Sequence, residues 1–106
     1  AATLGAMMIA VPAFAQVTDD NLADKAAAAT TSADHLEIAA YYRALADDSA
    51  KRIKSHERMR AQLGAVGKPS TSWNAHCNGL IAVYKNAEKE AIGMAQEHEA
   101  LAKKSK

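Results

Sequence analysis

The sequence predicts an all-α fold, an antiparallel two-helix hairpin, from three observations. Two long stretches repeat apolar residues at alternating steps of three and four, the spacing of a helix that packs along another helix. Residues 64–69 between them hold two glycines and a proline, which end one helix and precede the next. Aromatic residues make up only 5% of the chain although 49% is hydrophobic, which suits thin and closely packed helices.

Residues 1–15 have the composition of a secretory signal peptide. They carry no charge, contain an apolar run over residues 4–11, and close on the small-x-small sequence Ala13-Phe14-Ala15. The basic region that precedes such a run is missing, so we expect a truncated signal. A span of about 20 apolar residues is needed to cross a bilayer, so cleavage after Ala15 is favoured over a membrane anchor. The mature chain is therefore expected in the periplasm or secreted, with no membrane contact after cleavage.

Residues 16–31 are predicted to form a linker or a short helix. Thr18 or Asp19 is suited to cap such a helix, because a side-chain oxygen can accept from the free amides of the first turn. Only Val17 and Leu22 offer apolar bulk for packing against the rest of the chain.

The hairpin domain is predicted over residues 32–104, with helices near 32–63 and 72–103. Thr31 to Asp34 resembles a capping box, which satisfies free amides at the start of the first helix. Gly79 and Gly93 each cost the second helix about 1 kcal/mol of helix propensity, unless they allow a neighbouring helix to approach closely.

A hairpin alone leaves apolar side chains outside its seam, the strip along which its two helices face each other. We therefore expect a homodimer that forms a four-helix bundle. The alternative is that residues 16–31 fold back as a third helix. The residues expected to be uncovered are Tyr41, Ile81, Val83, Ile92 and Trp73.

Candidate metal ligands lie in the seam in a mirrored arrangement. His35 and His56 are 21 residues apart, as are Cys77 and His98. The residue numbers of His35 and His98 have the same sum as those of His56 and Cys77, so each pair should share a level of an antiparallel hairpin that turns between Val66 and Gly67. The predicted ligands are His56, Cys77, His76 and Met59 near the turn (the proximal site) and His35, His98 and Met94 at the other end (the distal site).

Imidazole, thiolate and thioether ligands together favour copper, with zinc as an alternative. The predicted function is that of a periplasmic copper carrier or buffer, which implies a donor or acceptor protein. One alternative is an electron-transfer bundle with haem b held by His35 and His98 or by a His–Met pair. The sequence contains no CxxCH motif, which argues against covalently attached haem but not against haem b. The other is a structural or stress-related interaction module whose histidines tune its pH response.

The seam residues also resemble those of a group of small uncharacterised exported bacterial proteins. The shared pattern is His35-x3-Ala39-x-Tyr41-Tyr42, His56-x2-Met59, His76-Cys77-x2-Leu80, Tyr84-x2-Ala87 and Ala95-x2-His98. The resemblance implies an exported helical hairpin and assigns no activity. More loosely, the chain is similar to small periplasmic metal-binding helical proteins, which are much richer in histidine.

Other function classes find little support in the sequence. The formal net charge of +1 gives no case for nucleic-acid binding. The sequence shows no catalytic triad order, no phosphate loop and no paired buried carboxylates, so an enzyme is the least supported class.

Cys77 is the single cysteine of the chain and cannot form an internal disulfide. It is therefore a free thiol, an intermolecular bridge or a metal ligand.

Overall fold

The computed structural model describes residues 16–67 and 71–106, and these residues form three α-helices and no strand. Helix α1 covers Leu22–Ala28, α2 covers Ser32–Ala65 and α3 covers Thr71–Lys104. Contacts between α2 and α3 join the start of one helix to the end of the other, so the two helices are antiparallel. The predicted all-α fold with two long packed helices is confirmed. The expected signal peptide, residues 1–15, lies outside the described residues.

Helix α2 starts where the sequence predicts, at a capping box. The Thr31 hydroxyl accepts from the Asp34 backbone N–H at 3.1 Å, and the Asp34 carboxylate accepts from the N–H groups of Thr30 and Thr31 at 3.0 Å each. The hydrogen bond from Thr30 and then that from Thr31 lower the pKa of Asp34. The stabilisation is therefore present at neutral pH and is lost as the pH falls through that lowered pKa.

Helix α2 ends at a glycine in the left-handed region. Gly67 has φ 69°, which a side chain disfavours, and its N–H donates to the Gly64 carbonyl at 3.2 Å. Helix α2 therefore ends at Ala65, just before the predicted turn position between Val66 and Gly67.

The core between α2 and α3 is narrow because its residues are small. Ile38 is the largest side chain with less than 2% of its surface exposed, and Ala39, Ala91 and Ala95 are buried as well. Alanine side chains allow two helices to pack closely. The buried core residues are Val17, Ile38, Ala39, Ala46, Ser49, Ile53, Cys77, Ile81, Ala91, Ala95 and Ala102.

Residues 16–31 fold back onto α2, with α1 as a short helix. Val17 is buried, and the Tyr41 hydroxyl donates to the Asp19 carboxylate. That hydrogen bond, with some burial, raises the pKa of Tyr41 to about 12. Part of the surface expected to be uncovered is thus covered from within the chain.

Two of the residues expected to lie outside the seam have different surroundings in the structure. Ile81 is 6% exposed and belongs to the core between α2 and α3, while Ile92 is half-buried. Val83 and Trp73 are exposed, at 61% and 53%. Leu80, which the sequence pattern places in the seam, is exposed as well at 39%, so apolar surface remains outside the core. No helix within 16–67 and 71–106 is both long and apolar enough to span a bilayer.

Glycines in α3 do not serve close packing. A Cβ atom added at Gly79 or Gly93 would meet no atom within 4 Å. We therefore expect Gly79→Ala and Gly93→Ala each to raise the free energy of unfolding by about 1 kcal/mol, because alanine removes backbone freedom from the unfolded chain. Urea unfolding followed by circular dichroism measures this. If both variants were no more stable than the parent chain, the environment of these glycines would not be open. Gly67→Ala is the control, and it should lower the free energy of unfolding in the same assay because Gly67 has a positive φ.

Candidate metal-binding sites

The distal site is formed by two histidines on facing helices. His35 lies in the first turns of α2 and His98 near the end of α3, and the two Nδ1 atoms are 3.1 Å apart. Their ring planes differ by 28° and their centroids are 5.4 Å apart. The centroid distance exceeds the nitrogen–nitrogen distance by about two ring radii, so the rings meet edge to edge through Nδ1.

This arrangement sets the protonation of the pair. At 3.1 Å one Nδ1 must carry a proton and donate it, while the other presents its lone pair. Either ring can be the donor, because the donor and acceptor roles depend on the tautomer of each ring. Burial and then the neighbouring His35 lower the pKa of His98, whereas Glu97 opposes this.

Neighbouring contacts hold the pair in place. The guanidinium of Arg43 on α2 donates twice to the Glu99 carboxylate on α3, at 2.8 and 3.2 Å. The Tyr42 ring lies nearly parallel to that of His98, with 9° between planes and 6.4 Å between centroids. Met94 is half-buried one turn before His98. Tyr42 was not a predicted site residue, and its i, i+7 spacing from His35, which puts both on one face of α2, was the signal for this contact.

The proximal site brings together two sulfur atoms. The Cys77 thiol donates to the Met59 thioether, with 3.6 Å between Sγ and Sδ. Cys77 is 4% exposed, whereas Met59 is 44% exposed, so one sulfur lies in the core and the other at its edge. Metal–sulfur bonds of about 2.3 Å at a tetrahedral angle separate two ligands by roughly 3.8 Å, so this spacing is close to that of two ligands of one ion.

His56 contacts a different residue from the one predicted. Its ring is nearly parallel to that of Tyr84, with 19° between planes and 5.9 Å between centroids, whereas the thiol of Cys77 meets Met59. Met59 is about one turn after His56 on α2, and Tyr84 is about two turns after Cys77 on α3. Side chains lean towards the N-terminus of their own helix, so ring and sulfur contacts need not follow the pairing of backbone levels.

The Nδ1 atom of His56 is buried and has no hydrogen-bond partner among the described residues. Buried polar atoms of this kind are rare in folded proteins, so an unpaired one calls for an explanation. His56 and Met59 are three residues apart and therefore lie on the same face of α2, and Met59 contacts the Cys77 thiol. The Nδ1 atom of His56 is therefore a candidate third ligand.

His76 is not brought to the core. It is exposed on α3, whereas the adjacent Cys77 is buried, because adjacent helical residues point about 100° apart. Within 16–67 and 71–106, no three side chains of His, Cys, Asp or Glu are grouped so that they could hold a metal ion. The structure therefore does not join His56, His76 and Cys77 into the three-ligand site that the sequence suggested. What it brings together is one thiol with one thioether, and one imidazole with another.

The chain was compared with family models, with curated proteins and with solved structures. None of the three comparisons yields a match. The functional argument for this chain accordingly rests on its own residues.

Proposed function

We propose that this chain is an exported metal carrier or buffer that binds Cu(I) at the proximal site. The observation that carries the proposal is the 3.6 Å contact between the Cys77 thiol and the Met59 thioether. Thiolate and thioether ligands select Cu(I) over harder ions. An imidazole at His56 would complete a three-coordinate site, and its unpartnered Nδ1 supports that role.

Exposure of the site suits transfer of the ion to another protein. Cys77 is shielded, but Met59 is 44% exposed, so a partner can reach the ion from the Met59 side. A site with three protein ligands keeps a position open for an incoming group, whereas a closed tetrahedral site holds its ion structurally. The signal-like composition of residues 1–15 supports placement of this carrier in the periplasm or outside the cell.

The close packing of the distal layer argues against haem b. A haem held by His35 and His98 would place the flat macrocycle between the two rings, which are in direct contact at 3.1 Å. The alanines around this layer are buried in close helix packing. Haem binding would therefore require the two helices to separate, while a single ion would not.

An anaerobic titration with a chromophoric Cu(I) chelator tests the proposal. The mature chain is expected to remove one Cu(I) per chain from the chelator, and to bind less tightly as the pH falls, since the thiol and imidazole must lose protons to ligate. Sulfur ligation can be checked by X-ray absorption at the copper edge. Failure to compete with the chelator, or binding without sulfur ligands, would refute the carrier proposal.

We further propose that the hairpin forms a homodimer, and so a four-helix bundle, through the apolar side chains beside the proximal site. Leu80 and Val83 follow Cys77 along one face of α3 at steps of three, and both are exposed. Dimers bury contiguous apolar surface of this kind when a single hairpin offers too little core.

Sedimentation of the mature chain at micromolar concentration should give twice the monomer mass. Val83→Asp should give the monomer mass, because the new carboxylate would be buried in the interface without a partner. Ala82→Asp is the matched control, since residue 82 is exposed and lies about 100° away around α3. A parent chain that sediments as a monomer, or a Val83→Asp chain that remains a dimer, would exclude this interface.

A further inference from the structure

We propose that His35 and His98 form a second metal site, separate from the Cu(I) site, which takes a divalent ion of the zinc type between their two Nδ1 atoms. For both Nδ1 lone pairs to face the ion, each neutral ring would carry its proton on Nε2. Imidazole ligands suit zinc, whereas the sulfur ligands at the other end of the hairpin suit Cu(I). One hairpin would thus carry two sites of different metal preference.

The distance between the two nitrogens fits this role. Zinc–nitrogen bonds of about 2.0–2.1 Å at neighbouring coordination positions place the two nitrogens about 3.3 Å apart. The observed separation of the Nδ1 atoms is 3.1 Å. An ion bound to both nitrogens would lie about 1.3 Å off the line that joins them. Each ring would therefore have to turn by about 40° from its edge-to-edge contact to direct its lone pair at the ion.

The helices on each side hold the two rings in this position. The Arg43–Glu99 ion pair joins α2 and α3 immediately next to His98 in sequence. Tyr42 lies parallel to the His98 ring and supports one side of it. Ligands that are already oriented lose little freedom when an ion binds, so two histidines fixed across a helix seam form a better site than two mobile ones.

The charges around the pair are compatible with a cation. Arg43 is paired with Glu99, and Lys103 also lies near that carboxylate. Asp34 and Glu97 are the chain neighbours of His35 and His98, and their carboxylates contribute negative potential at this end of the hairpin. Two protein ligands leave the remaining positions to water, so the site would bind its ion reversibly.

Zinc binding to the Cys77→Ser chain tests this proposal apart from the Cu(I) site. Calorimetric titration with zinc chloride should show one ion per chain, and His35→Ala or His98→Ala should each weaken binding at least tenfold, because a single imidazole remains. His76→Ala is the matched control, since His76 is exposed, and it should leave the affinity unchanged. Thermal melts in EDTA check that each variant is folded.

Nitrogen NMR of the imidazoles in the Cys77→Ser chain gives a result that needs no histidine variant. Zinc should shift the Nδ1 signals of two histidines, His35 and His98, and leave those of His56 and His76 in place. Unchanged zinc affinity in both alanine variants, or shifts confined to His56 or His76, would overturn the distal site. Neither outcome bears on Cu(I) binding, which the chelator titration of the parent chain measures separately.

Discussion

Replacement of Cys77 by serine is expected to weaken Cu(I) binding far more than replacement of the adjacent His76 by alanine. Cys77 is buried and contacts Met59 at 3.6 Å, whereas His76 is exposed. Loss of a residue that only supports a ligand typically costs about 10–100-fold in metal affinity, so loss of a thiolate ligand should exceed that range. Competition with a chromophoric Cu(I) chelator measures both variants under the same conditions.

Two further variants separate ligation from packing at this site. Met59→Leu keeps the volume and apolar character of the side chain but removes the thioether, so it should weaken Cu(I) binding while the melting temperature changes little. His56→Phe keeps an aromatic ring beside Tyr84 and removes the unpartnered nitrogen, and it should also weaken binding. A Cys77→Ser chain that binds Cu(I) as tightly as the parent would reduce Cys77 to a small buried core residue.

Replacement of Ile38 by alanine is expected to lower the free energy of unfolding by about 2–5 kcal/mol. Ile38 is 1% exposed and is the largest fully buried side chain among the described residues. The surrounding alanines are too small to fill the space that it leaves, so both the transfer energy and a cavity contribute. For a domain of this size each kcal/mol corresponds to about 4–8 °C in melting temperature, so the loss is readily measured.

Leu36→Ala is the matched control for Ile38→Ala. Leu36 lies on the same helix, two residues away, but is 51% exposed. Its truncation should cost much less, because exposed apolar side chains lose little on removal. Similar losses in the two variants would mean that the seam between α2 and α3 does not contain the core that the structure shows.

The helices and their ends could be predicted from the sequence because they depend on local interactions. The predicted capping box at Thr31 and Asp34 forms, and the glycine-containing turn ends α2 at Ala65. The bounds predicted for the two long helices, 32–63 and 72–103, agree with Ser32–Ala65 and Thr71–Lys104 to within two residues. Apolar spacing and capping side chains act within one or two turns, so a single stretch of sequence contains them.

The choice of neighbours across the seam depends on the tertiary structure. The sequence alone predicted that His35 and His98 are partners, and the two rings are in contact. The same mirrored spacing paired His56 with Cys77, but Met59 contacts Cys77 and Tyr84 contacts His56. These contacts also depend on how each helix is rotated and on the lean of side chains along their helices, neither of which a residue-number rule contains.

Burial likewise required the folded chain. Sequence spacing placed Ile81 outside the seam and left residues 16–31 undecided, whereas Ile81 is 6% exposed and Asp19 accepts a hydrogen bond from Tyr41. It also grouped His76 with Cys77, and the helix turns His76 into solvent. The sequence by itself determined which segments are helical and which residue types could hold a metal. Only the tertiary structure decided which of those residues meet, because side-chain contacts across the seam depend on register and rotation, which no local interaction specifies.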